Sequence, residues 1–369
     1  MSEADLLDTD VEVQLRATVR GMLADRCTPR AVAAMYDGDR SIVDPLWKTL
    51  AADLGLAGLL VPERDGGAGA SARETAVVVE ELGRAIAPVP FLTSAVIATS
   101  VLLGFGTTLL TDLASGECTA ALVVPLSLAP ADTLPAFGRD ADGGAAGTMT
   151  SVAGALEADV LLVPVHAGER VEVVAVPASE ARIEPVVSLD QSRQLADVTL
   201  DGVAGTIVVP AETGDGAVRR GLAAGAALLA SEQIGIARWC LETSVDHLKE
   251  RRQFGRVVGG FQALKHRLAD LYTSVESGAA AARYASVTAA ADDPDAVLAN
   301  AVAQAFCSNL AVHAAEEAVQ LHGGIGMTWE HPAHLYLKRA KADQIALGTP
   351  GAHRRRLTTL VRLPAAEVT

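Results

Sequence analysis

From residue 213 to about 362, apolar residues recur at three- and four-residue spacing almost without pause, and few architectures absorb so much consecutive helix. The spacing predicts a first helix from near Gly216 to Glu250, with a stripe through Leu222, Leu229, Ile236 and Trp239-Cys240. A second follows Gly259-Gly260 and runs from Phe261 to about Ala289. A third opens at Asp293-Pro294, a capping residue followed by proline in the first turn, and stops at His322-Gly323-Gly324. A fourth extends from His331-Pro332 to about Leu347. Four antiparallel helices of this kind bury their stripes by forming a bundle.

The rest of the chain changes texture twice. Residues 8–108 carry helical spacing, as in Leu46-Trp47, Leu50 and Leu54, interrupted by the Pro/Gly-rich turn Val61-Pro62-Glu63-Arg64-Asp65-Gly66-Gly67-Ala68-Gly69. Between 109 and 212 the period shortens. Val160-Leu161-Leu162-Val163, Val171 to Val176 and Ile207-Val208-Val209 are brief runs bounded by Pro, Gly and Asp, and they read as strands of a small antiparallel sheet. No helix long enough for a crossover separates them, so a Rossmann sheet is disfavoured. The expected fold class is α+β in three domains: helical over 1–108, a β domain over 109–212 and a helical bundle over 213–369.

A formal charge of −15 opposes nucleic acid or an anionic membrane as partner. Cys27, Cys118, Cys240 and Cys307 lie far apart, so no metal site or redox pair is expected. The acidic stretch Met1 to Asp10 lacks a signal core, and no uninterrupted apolar run of spanning length is read, so a cytoplasmic protein is expected.

Two segments carry chemistry. Glu250-Arg251-Arg252-Gln253-Phe254-Gly255, followed by Phe261-Gln262 and His266-Arg267-Leu268-Ala269-Asp270, puts guanidinium groups at one helix end and backbone donors at the start of the next. That combination can clamp a phosphate, although arginine at a helix C-terminus more often only complements the helix dipole. Gln320-Leu321-His322-Gly323-Gly324-Ile325-Gly326 ends a helix with glycines that let backbone approach a ligand, or that merely cap the helix. No nicotinamide-dinucleotide or P-loop pattern occurs.

Together the R-x-Q-F-G…F-Q…H-x-L-A-D segment and the Q-L-H-G-G-I-G-M-T-W-E-H segment resemble the two C-terminal signatures of acyl-CoA dehydrogenases. Leu54-Gly55-Leu56, Val61-Pro62-Glu63, Gly66-Gly67-Ala68-Gly69 and Glu80-Glu81-Leu82-Gly83 resemble that family's N-terminal domain. The resemblance spans nearly the whole chain. It implies an N-terminal helical domain, a middle β domain, a C-terminal four-helix bundle, an FAD held between subunits, an acyl-CoA substrate oxidised to the enoyl-CoA, and an electron-transfer acceptor. It also implies that Arg251, Gln253, Phe254 and Gln262 serve the pyrophosphate side of a neighbour's flavin, and Gln320, Gly323 and Gly324 its adenosine side.

The chain departs from this pattern where the reaction needs a base. In Asp343-Gln344-Ile345-Ala346-Leu347-Gly348-Thr349 the glutamate position is Leu347. The alternative position, 26 residues before Arg251, is Gly225. Glu232 is the acid in the middle of that apolar helix, a weak catalytic candidate and more often the kind of residue that bonds inside a bundle. Glu330 is assigned to a structural W-E-H segment. The ring-flanking aromatic and threonine become Ser151 and Ala153, and Val123 to Leu128 replaces the T-E-P segment. The expectation is a base-lacking subunit that completes the FAD site of an active dehydrogenase in a heteromer, such as α2β2. Degenerate subunits of this kind occur in steroid catabolism. The alternative is a self-sufficient homo-oligomer using Glu232.

Overall fold

The computed structural model describes residues 5–361; the expected outer domain limits, residues 1 and 369, lie outside them. Six helices come first: α1 (Asp10–Arg26), α2 (Pro29–Ala34), α3 (Val43–Lys48), α4 (Ala72–Ala85), α5 (Thr99–Leu102) and α6 (Thr108–Ser115). A wide π-helical stretch, Phe91–Ala98, leads into α5. Thr9 with Glu12 and Ser71 with Glu74 close capping boxes at the starts of α1 and α4, satisfying amides that the helices cannot.

The middle region is two sheets rather than the single antiparallel sheet expected. Its strands are β1 (Ala120–Leu122), β2 (Gly138–Arg139), β3 (Ala145–Ala153), β4 (Val160–Ala167), β5 (Arg170–Pro177), β6 (Arg182–Val186), β7 (Leu195–Val203) and β8 (Thr206–Val209). One sheet runs β1-β4-β5-β8 with β1 and β4 parallel, and the other runs β2-β3-β7-β6. Side-chain alternation explains the second layer. Leu161, Val163 and Val165 of β4 enter a core between the sheets, while Leu162 joins the helical core. A strand buried on both faces reads as a continuous apolar run, so the sequence hid its second neighbour.

The C-terminal region holds α7 (Gly214–Glu250), a short hairpin of β9 (Arg252–Gln253) and β10 (Arg256–Val257), α8 (Gln262–Ala290), α9 (Ala296–His322), α10 (Ala333–Ile345) and an additional short helix, α11 (Pro350–Leu360). By length and composition alone Ala296–Met327 could cross a membrane, a test that a buried core helix also passes. Here Ala303, Cys307, Ala311, Ala314 and Ala318 of α9 are buried in the bundle core. Helices α4 and α7 touch backbone to backbone. A Cβ on Gly83 would lie 2.2 Å from the Glu232 carbonyl oxygen, and one on Gly235 would lie 1.9 Å from that of Glu80. This close approach fixes where Glu232 sits.

Candidate functional site

Three places bear on function: a small apolar pocket, a buried ionic cluster and an exposed set of donors at one end of the bundle.

The pocket is lined by Thr93, Ile97, Leu122, Val124, Leu126, Ala153, Leu222 and Leu347, among others, and its free space is about 20 Å³. That is room for about one water molecule. Leu347 is 1% exposed and left-handed at φ 53°. Its N–H donates to the Leu126 carbonyl at 2.7 Å, and its carbonyl accepts from His353 Nε2 at 3.0 Å. A Cβ on Gly225 would stand 3.1 Å from Leu347 Cδ1 and 2.7 Å from Ile97 Cγ1. Both positions where a base was sought therefore face one another, and neither offers a carboxylate or the space for one. Across the pocket, Pro125 bridges Val152, and the Leu126 N–H donates to the Ser151 carbonyl at 3.0 Å. Ser151 is held at φ 58° with its N–H on Asp197 Oδ1. Ala153 lines the same pocket, and Ser151 is tied by its carbonyl to the lining residue Leu126.

Glu232 lies seven residues beyond Gly225, about 10.5 Å further along α7 and on the same face. It is 2% exposed and engaged by two guanidinium groups. Arg193 Nη2 donates to both its oxygens at 2.7 and 2.6 Å, and Arg339 Nη1 donates to Oε1 at 2.7 Å. Burial alone would raise its pKa. Arg193 and Arg339 outweigh burial and hold the carboxyl below the usual range. A carboxylate so engaged is a poor proton acceptor, so the candidate base is an ion-pair member of the core. Its partners Arg193 and Arg339, and the Asp343, Asp190 and Ser192 that these arginines also engage, were not anticipated, because no helical or strand spacing links a loop after β6 to α10.

At the far end of α7, Arg251 caps the helix, its N–H on the His247 carbonyl at 2.9 Å. Gln253 then enters the β9–β10 hairpin, whose turn, Phe254-Gly255, has φ 50° and 74°. Such two-residue turns need left-handed residues, and the turn leaves Phe254 89% exposed. Gln262 opens α8, whose N-terminus has no side-chain cap. Arg251, Arg252 and Arg256 form no ion pair among the described residues, although the protein is acidic. Arg256, unremarked in the sequence, lies over the Phe261 ring at 3.8 Å.

The second segment arrives at the same end. The His322 ring packs 4.5 Å from that of His247 and 4.1 Å from that of His331, and Arg267 pairs with Glu317 at 2.6 Å. Gln320, Gly323 and Gly324 are exposed, and neither glycine has a neighbour within 4 Å of a would-be Cβ. In the W-E-H segment, Trp329 is 65% exposed and edge-on to Tyr36, and Glu330 is exposed. A loop after a helix end has no enclosing element to bury it here.

Unpaired guanidiniums, an uncapped helix start and bare glycine backbone fit a diphosphate-bearing cofactor. Arg251 and Gly225 are 26 residues apart, about 39 Å along α7 at 1.5 Å per residue. That exceeds the reach of one extended flavin dinucleotide, so these donors and the Leu347 pocket cannot serve the same bound molecule within one chain.

The comparisons agree with this architecture. A family model for the acyl-CoA dehydrogenase N-terminal domain matches residues 9–117, and one for the C-terminal domain matches residues 212–360. The acyl-CoA dehydrogenase IpdE2 of Mycobacterium tuberculosis is 36% identical over 349 residues, covering 94% of this chain and 96% of that protein. Among solved structures, the Tcur3481-Tcur3483 steroid ACAD is 28% identical over 96% of this chain and 98% of its own, with a TM-score of 0.82. The ChsE4-ChsE5 complex from Mycobacterium tuberculosis is 26% identical over 98% of this chain and 100% of its own, with a TM-score of 0.84. The chain belongs to the acyl-CoA dehydrogenase family of oxidoreductases, whose cofactor is FAD.

Proposed function

We propose that this chain is the non-catalytic subunit of a heteromeric acyl-CoA dehydrogenase, completing the FAD site of an active partner subunit. One observation carries the reading: of the two positions for a base, Leu347 lines a small apolar pocket and Gly225 packs against Leu347, so neither offers a carboxylate, while the proposed phosphate donors are exposed at the other end of the bundle. Arg251, Gln253, Phe254 and Gln262 would hold the pyrophosphate side of the partner's cofactor, and Gln320, Gly323 and Gly324 the adenosine side. FAD, when bound, supplies the hydride acceptor. The residues of this chain bind and orient it and leave proton abstraction to the partner. A self-sufficient enzyme using Glu232 is disfavoured by the two arginines that hold that carboxylate ionised.

The likeness to proteins described as a steroid ACAD and as a two-chain complex supports an α2β2 assembly acting on a bulky, steroid-type acyl-CoA. A cytoplasmic setting and a separate electron acceptor belong to the same reading. The test is co-expression with base-bearing acyl-CoA dehydrogenase subunits from the same organism, followed by a visible spectrum and flavin count of the complex that co-purifies. The expected result is one FAD per heterodimer, a colourless chain when expressed alone, and loss of flavin from the complex on Arg251→Ala. Two FAD per heterodimer, or thioester-dependent dye reduction by the isolated chain, refutes the proposal.

A further inference from the structure

We propose that the buried ionic cluster is a proton-holding latch: Asp343 stays protonated at neutral pH, and its deprotonation in base loosens the grip of the β-domain loop on the bundle. The inference is independent of the heteromer reading. Five ionisable groups meet in the cluster. Arg193 and Asp190 come from the loop between β6 and β7, Glu232 from α7, and Arg339 and Asp343 from α10. Three carboxyl groups thus face two guanidiniums, and all but Arg193 are almost wholly buried. Fully ionised, the cluster would hold one uncompensated negative charge away from water, which is costly.

The hydrogen bonds indicate where the balancing proton resides. Glu232 accepts three guanidinium contacts, and Asp190 accepts from Arg339 and from the Ser192 N–H and hydroxyl. Tyr36 also points its hydroxyl at Asp190. Asp343 receives one contact, Arg193 Nη1 on Oδ1 at 2.6 Å, and its Oδ2 is buried without a partner. The least supported oxygen of the three carboxyls is where a proton costs least. Lys338, one residue before Arg339, is turned between the Tyr36 and Trp329 rings at 4.0 Å from each, outside the cluster. Burial first, and then the neighbouring Glu232 charge, push Asp343 up to about 8, whereas Glu232 and Asp190 are both held low.

The sign follows directly. The folded state holds a proton on Asp343 that the unfolded chain releases above its ordinary carboxylate pKa. The stabilisation is therefore complete at low pH and is lost as pH rises towards about 8. The experiment is urea unfolding of the full chain and of Asp343→Asn from pH 5 to pH 9. The ratio of the wild-type unfolding constant to that of the variant should rise about tenfold per pH unit between pH 5 and 7, the slope for one retained proton. It should level off above the folded pKa. A flat ratio across that range overturns the proposal. If Asp343→Asn does not fold, infrared spectra of the native chain with carboxyl-labelled aspartate give the same decision. A protonated-carboxyl band present at pH 6 and gone at pH 9 supports the latch, and no band at pH 6 overturns it.

Discussion

Replacing Glu232 with glutamine separates a base from an ion-pair member, because it removes charge while keeping shape. Glu232 receives three contacts of 2.6–2.7 Å from Arg193 and Arg339. Hydrogen bonds to charged groups contribute about 1.5–3 kcal/mol each, and breaking a buried pair typically costs about 3–5 kcal/mol. Asp343 limits the loss here: with Glu232 neutral, the two arginines face only Asp190, and Asp343 can ionise in compensation. Glu232→Gln should therefore destabilise by about 3 kcal/mol, the low end of that range. Removing the compensating acid as well, in Glu232→Gln/Asp343→Asn, leaves a cation without a counter-charge and should cost more than the two single changes added together. Urea unfolding monitored by circular dichroism measures all four chains. With the partner subunit present, turnover at saturating substrate should be unchanged by Glu232→Gln as long as the fold holds. A stability loss below about 1 kcal/mol, the range of an exposed pair, together with a collapse in turnover, would make Glu232 the base and refute the reasoning.

The other predictions concern the pocket, the helix contact and the exposed donors. Leu347→Glu should restore no dye reduction to the isolated chain, and it should lower the urea midpoint because a carboxyl enters a pocket with room for one water. Gly83→Ala drives a methyl group against the Glu232 carbonyl oxygen, 2.2 Å away, and should cost at least about 1–3 kcal/mol in unfolding free energy. Phe254→Ala leaves the isolated chain as stable as before, since its side chain covers little, but should lower flavin retention by the complex, read from visible absorbance after gel filtration.

Helical period and turn chemistry made most of the architecture legible. The π-helical turn at Phe91–Ala98 and the second sheet were not, because a stretch buried on every side carries no period that distinguishes its neighbours. Gly83 and Gly235 look alike in the sequence to glycines that merely end helices; only contact between α4 and α7 shows that each is needed for backbone approach. The two segments proposed as donors could be picked out because most of their residues lie close together in the sequence. The ionic cluster as a whole could not: Asp190, Arg193, Glu232, Arg339 and Asp343 come from three elements, and although Glu232 stood out in an apolar helix, nothing in the sequence named its partners.

On the proposed reading, the layout of α7 explains how one function can be lost and another kept. Gly225 and Arg251 sit on one helix but about 39 Å apart, so a substitution that fills the pocket need not disturb the donors. The pocket holds little free space, with Leu347 anchored through both its N–H and its carbonyl. Filling it with apolar side chains removes the need to hold a desolvated carboxylate and gains packing instead. A chain whose chemistry is supplied by a partner is free to take that exchange. A chain acting alone is not, and Leu347 facing Gly225 therefore argues for an active partner more strongly than the absence of any single acid.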